Sequence, residues 1–424
     1  MTEPRINHVV GRRVWDSRGR PTVEAEIFLD NGASGRAIAP AGTSAGTHEA
    51  IELRDGGPEF GGFGVNRAIA NINGEIAAAL RGMPIAAQRA IDQRLIELDG
   101  TANKARLGGN ATIAVSMAAL HAAAAACAEP LWRMLAEDEP VRLPMPMIQI
   151  FGGGAHAGRR VDIQDFLVIP IGAASFEEAL TMAARVYRSA GEIMAARGRL
   201  RGVADEGGWW PEFGSNVEAL DTLVEAIERA ALIPGDAVGI AIDVAASQFY
   251  RDGRYRLAAD ATEFETEGLI ELLAGWCRRY PIVSVEDPVA ENDDGGMASF
   301  TRELGDRIQV IGDDYLVTSA GRIAAAASRG ACNAVLLKPN QAGTITETKA
   351  ALDVARELGW RTVVSARSGE TEDVTIVHLA VGWNAGQLKV GSFARSERMA
   401  KWNEGLRIEA ALGTAAAFAG WRRS

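Results

Sequence analysis

A small α+β domain followed by a closed barrel of strand–helix units is the fold class this chain predicts, and three observations predict it. At 424 residues there is room for two domains, one of them barrel-sized. The apolar runs 238–242, 282–285 and 308–311 each stop at acidic residues: Asp243, then Glu286 and Asp287, then Asp313 and Asp314. A fourth run, 334–337, stops at Lys338, and segments of helical spacing such as 265–279 and 321–329 lie between the runs. Short, continuously apolar strands alternating with helices make a parallel sheet covered on both faces. Closed into a barrel, such units collect their strand-end residues at one mouth, where chemistry is done.

The elements follow in order. Residues 5–40 read as a strand meander with a turn at Asp16-Ser-Arg-Gly19, good alternation over 21–29 and a hairpin signal at Asp30-Asn-Gly32. The small-residue loop Ala41-Gly-Thr-Ser-Ala-Gly46 has no Lys-Ser/Thr pair after it, so on spacing alone it is a weak phosphate motif and reads as a connection. Helical patterns follow at 65–80, 85–98 and 110–135, with Asp99-Gly100 breaking the second from the third. Pro-rich Leu143-Pro-Met-Pro146 marks a boundary, dividing the chain into domains 1–142 and 143–424. Strands at 147–151 and 166–169, then helices at 175–197 and 216–231, give the barrel a ββαα start. Strand–helix alternation continues through 362–365 and 387–390.

Composition narrows the partners. A net charge of −11 argues against nucleic acid or an anionic membrane as the main partner, while leaving an anionic small substrate open. Three scattered cysteines suit a reduced, cytoplasmic setting. Residues 1–10 have no apolar core behind basic residues, so no signal peptide is expected. The Ala-rich run 118–128 is too short to span a bilayer and reads as a buried helix.

Any one of Asp243, Glu286 and Asp313 would pass for a helix cap or turn residue. Three at the ends of successive strands point instead to a hard cation, and carboxylates without His or Cys favour Mg²⁺ over zinc. Lys338 is either an ion-pair partner of those acids or a base whose neutral form is favoured by nearby positive charge. Glu206, in Asp205-Glu-Gly-Gly208, is an acidic turn or an acid brought close to a ligand. Arg367 with Ser368 makes a natural phosphate clamp, though a lone loop arginine is more often solvated. His156, after three glycines, is structural or a ligand contact. Together these groups suit proton abstraction next to a carboxylate followed by loss of a leaving group.

Asp16-Ser-Arg-Gly-Arg-Pro-Thr-Val-Glu24, His48-Glu-Ala-Ile-Glu-Leu-Arg-Asp55, Leu98-Asp-Gly-Thr101, Leu143-Pro-Met-Pro-Met147, Asp205-Glu-Gly-Gly208, Asp243-Val-Ala-Ala-Ser247, Ser284-Val-Glu-Asp-Pro288, Arg367-Ser-Gly-Glu-Thr-Glu-Asp373 and Arg395-Ser-Glu-Arg398 run through both domains. In these stretches the whole chain resembles an enolase. The resemblance implies an α/β protein: an N-terminal α+β capping domain and a C-terminal ββαα(βα)6 TIM-like barrel. A Lys or His base with one or two Mg²⁺ ions is the established pattern of enolase-superfamily sites. By resemblance, two Mg²⁺ are expected per site, the first on Asp243, Glu286 and Asp313 and the second on Ser44, in a loop with Gly42 that closes over substrate. Lys338 matches the general base, Glu206 the general acid and Lys389 the group facing the substrate carboxylate. Arg367 and Ser368 match the phosphate binders, and His156 a loop-side contact. A homodimer, or a multiple of one, paired through the N-terminal domains is implied.

Departures from the family pattern set the substrate expectation. Ala366 stands where enolases carry His, and Gln164-Asp165 where they carry Gln-Glu. Gly152, Ala41 and Pro339 replace the usual Asn, Ser and Val, and Trp209-Trp210 replaces a smaller pair. Shortening Glu to Asp withdraws a catalytic carboxylate by roughly 1 Å, a displacement that can cost about 10²-fold in rate. The expected substrate is therefore a small phosphorylated or phosphonylated carboxylic acid. A phosphorus-modified analogue of 2-phosphoglycerate, as in carboxyphosphonoenolpyruvate formation in antibiotic biosynthesis, is favoured over 2-phosphoglycerate itself. The alternatives are an ordinary glycolytic enolase, a non-catalytic binding protein on the same fold, and an acid-sugar dehydratase, which Ser44, Arg367 and Ser368 disfavour.

Overall fold

The computed structural model describes residues 3–43, 46–136 and 139–421. Strands Ile6–Trp15, Pro21–Leu29 and Ser34–Ile38 form the expected antiparallel meander, in chain order. The helix Gly109–Cys127 lies on it. That helix is apolar and long enough to pass for a membrane span, yet most of it is buried inside the protein. Its backbone sits directly on the third strand: a Cβ at Gly35 would fall 2.0 Å from the Ala122 nitrogen. Only a residue without a side chain allows that approach.

The helical pattern at 110–135 resolves into two helices, Gly109–Cys127 and Leu131–Ala136. Ala128 turns left-handed at φ 55°, ending the first, and Pro130 precedes the second. The 65–80 pattern is a run of three contiguous helical pieces, Asn66–Asn71, Ile72–Ile76 and Ala77–Leu80, with a π-type turn in the middle. The next helix is Gln88–Asp99, starting later than its pattern and stopped by Gly100 in the left-handed region.

Eight strands close the barrel in the order Met145–Gly152, Asp165–Ile169, Gly239–Asp243, Ile282–Glu286, Gln309–Gly312, Ala334–Leu337, Arg361–Ser365 and Gly386–Gly391. The last pairs back on the first. The second strand alone runs antiparallel to both neighbours. Its beginning therefore reaches the mouth where the others end, and Asp165 lies opposite Asp243. Helices Phe176–Ala196 and Asn216–Arg229 complete the ββαα start.

One element departs from expectation. Tyr250–Arg251, Arg254–Leu257 and Thr262–Phe264 make a small antiparallel meander before the helix Thr266–Arg279. Its signal was Asp252-Gly253, both at positive φ (53° and 80°), the pairing that two-residue hairpin turns favour.

Candidate active site

Strand register builds the site. Glu286 pairs with Asp243 across adjacent strand ends, and Ile311, opposite Glu286, leads two residues on to Asp313. Lys338 follows the strand Ala334–Leu337, and Lys389 pairs with Ser365, from which the chain enters Ala366, Arg367 and Ser368. All of these side chains are buried. The Lys389 ammonium lies between two acids, 3.0 Å from Asp243 Oδ2 and 2.9 and 2.8 Å from the Glu286 oxygens. Lys338 donates to Asp313 Oδ2, while Gln341 donates to Asp313 Oδ1 at 2.9 Å.

Negative charge is in excess here. Burial, then repulsion from Asp243, pushes Glu286 well above the usual carboxylate range. Burial and the charge of Asp313 do the same to Asp287, and they push Asp314 up to about 8. Burial also works against the Asp313 charge, but Lys338 outweighs it and holds that carboxyl low. Buried carboxyl groups short of positive charge, offering oxygen donors only, fit a hard divalent cation.

The tightest acidic groupings are not the expected trio. Among the described residues, His156–Asp165–Glu206 and Asp287–Asp313–Asp314 each bring ligand atoms within 4.8 Å, and Asp243, Glu286 and Asp313 form no such group. The reason is visible: Lys389 stands between Asp243 and Glu286, and Lys338 occupies Asp313. A cation entering between Asp243 and Glu286 would exchange with a buried ammonium rather than fill neutral space.

A second cluster adjoins the first, since Asp165 pairs with Asp243 on the neighbouring strand. His156 Nδ1 is 3.0 Å from Asp165 Oδ1, and its Nε2 is 3.7 Å from Glu206. Burial disfavours the imidazolium, but Asp165 and Glu206 outweigh it and raise His156 to about 9. Asp165, with burial opposed by His156 and Lys389, is held down at about 2. Glu206 is carried on a turn that requires glycine: Gly207 has φ 92°, and a Cβ there would sit 2.5 Å from the Ala394 carbonyl. Gln164 donates to Asp243 at 2.9 Å, and Lys389, 3.7 Å from Asp165, joins the two clusters.

These groups fix a pH response. Asp314 moves from an ordinary 3.8 to about 8 and His156 from 6.5 to about 9, so across that span the folded state holds protons the unfolded chain has lost. Stability then falls as pH rises. In EDTA, the thermal midpoint is expected to drop between pH 6 and pH 9, and saturating Mg²⁺ should flatten the profile. A midpoint that climbs over this range would contradict the assignment.

The third side belongs to loops. Arg367 Nη1 is 2.9 Å from Glu49 and 3.3 Å from Asn340, and burial of its charge is more than offset by Glu49. The Ser368 hydroxyl is 2.7 Å from Thr43 and 3.3 Å from Arg18. Ala41 exchanges backbone hydrogen bonds with Gly369 at 2.9 and 2.8 Å, tying the small-residue loop to the Arg367 loop. Gly42 donates its N–H to Glu52 at 3.3 Å and does not line the cavity; Ser44 lies outside the described residues. His156, Gln164, Asp165, Glu206, Asp243, Lys338, Lys389, Ala366, Arg367, Ser368 and Thr43 surround a cavity of about 20 Å³, space for one water.

Three contributors besides Thr43 escaped the sequence reading. Arg18 reaches Ser368 from the N-terminal turn, Glu49 holds Arg367, and Gln149 bonds Asp165 from mid-strand. Arg18 and Glu49 lie in the quoted motifs, which was the available signal. Gln149 had none, sitting between Ile148 and Ile150 like a core residue. The Trp209-Trp210 departure does not touch the cavity. Trp209 stacks on Tyr187 with centroids 4.6 Å apart and covers Gly191, and Trp210 lies by Gly158.

A closed barrel with carboxylates and two lysines buried at its strand ends, capped by loops of an N-terminal α+β domain, defines a class of two-domain barrel protein with its charged site at the barrel mouth. Residues 6–135 match the family model described as enolase, N-terminal domain, and residues 140–424 the one described as enolase, C-terminal TIM barrel domain. The chain is 50% identical over 417 residues to Enolase 1 of Desulfitobacterium hafniense (strain Y51), covering 98% of this chain and 95% of that protein. It belongs to the enolase family and is a hydro-lyase of the enolase superfamily.

Proposed function

We propose that the chain dehydrates a 2-phosphoglycerate-type acid, with Lys338 taking the α-proton and Glu206 protonating the departing hydroxide. The observation that carries this reading is that an amine and a carboxyl, carried on different elements, line one small cavity. The Cα–H bond breaks toward Lys338 Nζ, its electron pair forms the new double bond, and the hydroxide leaves as water with the Glu206 proton. His156, whose pKa Asp165 and Glu206 raise, lies 3.7 Å from Glu206 and would replenish that proton as the two close up.

Asp243, Glu286 and Asp313 would hold Mg²⁺, with Ser44 the candidate for a second ion. When bound, the ions supply positive charge to the substrate carboxylate, which makes the α-proton acidic enough to remove. Lys389 faces that carboxylate, while Arg367, Ser368 and Arg18 bind the phosphoryl end. Lys338 can accept a proton only when Asp313 no longer holds it charged. A cytoplasmic homodimer, or a multiple of one, is part of the same reading.

A second reading, a substrate with an enlarged phosphorus group, is favoured by two short side chains on the cavity lining, Asp165 and Ala366. Purified protein with Mg²⁺ and 2-phosphoglycerate separates the two. Turnover of about 10 to 100 s⁻¹, an ordinary enzyme rate, supports the first. A rate about 10²-fold lower that Ala366→His raises supports the second. Inertness of wild type and variant toward 2-phosphoglycerate and its phosphonate analogues would leave only a binding role.

A further inference from the structure

We propose that Gln149 is the positioning residue that fastens the turn carrying Glu206 to the Asp165 wall of the cavity, with a length matched to the short Asp165 carboxylate. The inference rests on the proposed roles of Glu206 and Asp165, and it concerns how they are held. Gln149 lies inside the strand Met145–Gly152 and is fully buried, where an unpartnered amide would be costly.

Both ends of the amide are used. Its Nε2 donates to Asp165 Oδ1, and its Oε1 accepts the Gly208 N–H at 2.8 Å. One side chain therefore bridges a carboxylate on the neighbouring strand and the 205–208 turn. The fit is close: a Cβ at Gly208 would come 2.5 Å from Gln149 Oε1. Asp165 Oδ1 also meets His156 Nδ1 at 3.0 Å, and His156 faces Glu206. Glutamine, carboxylate, imidazole and the Glu206 turn thus close a ring of polar contacts.

Side-chain lengths around that ring are complementary. Asp165 is one methylene shorter than a glutamate, and Gln149 one longer than an asparagine, so the longer amide reaches the set-back carboxylate while still holding Gly208. Asp165 and Ala366 line the same cavity. Gln149 lets that wall stand back from the substrate without releasing Glu206, which makes it a determinant of specificity as well as of geometry.

Three variants test this: Gln149→Asn, Asp165→Glu and the two combined. Amide hydrogen exchange over residues 203–210 reports the Gly208 contact, and kcat and KM for 2-phosphoglycerate with Mg²⁺ report the consequence. Gln149→Asn is expected to raise deuterium uptake there and to lower kcat by about 10- to 100-fold with KM little changed. The combined variant, with the two lengths exchanged, should recover to within about threefold of wild type in both readouts, a non-additivity expected of contacting residues. Unchanged uptake in Gln149→Asn, or a combined variant no better than the worse single one, would overturn the proposal. The exchange measurement needs no substrate. A chain without dehydratase activity would sink the reaction reading while exchange still decides the role of Gln149.

Discussion

Lys338→Ala is expected to lower kcat by about 10⁴-fold, the upper end of what a positioned base contributes. Lys338 lines the same cavity as Glu206, and its backbone is pinned by a 2.9 Å bond from its N–H to Thr318 Oγ1. Truncation should therefore remove the amine without moving the strand end. Substrate affinity should change by only a few-fold, since the charge facing the substrate carboxylate is assigned to Lys389. A separate consequence follows for the metal-free protein. Asp313 loses its buried cation, so its carboxyl shifts upward and stability at neutral pH falls. Mg²⁺ should restore that stability without restoring turnover. Steady-state kinetics together with thermal unfolding in EDTA and in Mg²⁺ check both. A variant retaining a tenth of wild-type activity would remove Lys338 from the proton-transfer role.

Glu286→Gln should weaken the Mg²⁺ response by at least about 10²-fold, as losses around metal ligands commonly do. Its effect on the metal-free protein has the opposite sign. Glu286 is buried beside Asp243, and both burial and that neighbour oppose its charge. A neutral amide removes the repulsion at the expense of one hydrogen-bonded ion pair with Lys389. The thermal midpoint in EDTA is therefore expected to hold or rise, increasingly so as pH climbs above the ordinary carboxylate range. In wild type, Mg²⁺ at 100 times its dissociation constant should stabilise by about 2.7 kcal/mol. The variant should show almost none of that gain at the same concentration. A Glu286→Gln protein that Mg²⁺ stabilises as strongly as wild type would show that the ion is held elsewhere, for instance at Asp287, Asp313 and Asp314.

Much of the barrel was legible before any coordinates. Apolar runs ending in acids placed Asp243, Glu286 and Asp313 at strand ends, because strand length and burial are local properties written in side-chain type. The break between the helices ending at Asp99 and beginning at Gly109 was equally local, set by Gly100. Boundaries were less so. The split at Ala128 depended on a left-handed alanine that composition does not announce, and the 250–264 meander hid behind one Asp-Gly pair.

What the sequence by itself determined was which residues stand at the ends of which strands and, through its motifs, the family and the reaction class. Tertiary structure decided their company. Reversal of the strand Asp165–Ile169 carries Asp165 to the mouth, and closure of the barrel brings Lys389, from its last strand, between Asp243 and Glu286. Gln149 became a clamp only when the 205–208 turn folded over it. The physical reason is range. Periodicity and turn chemistry act over a few residues, whereas charge coupling in a buried cavity acts between groups that are distant in the chain and strengthens as water is excluded.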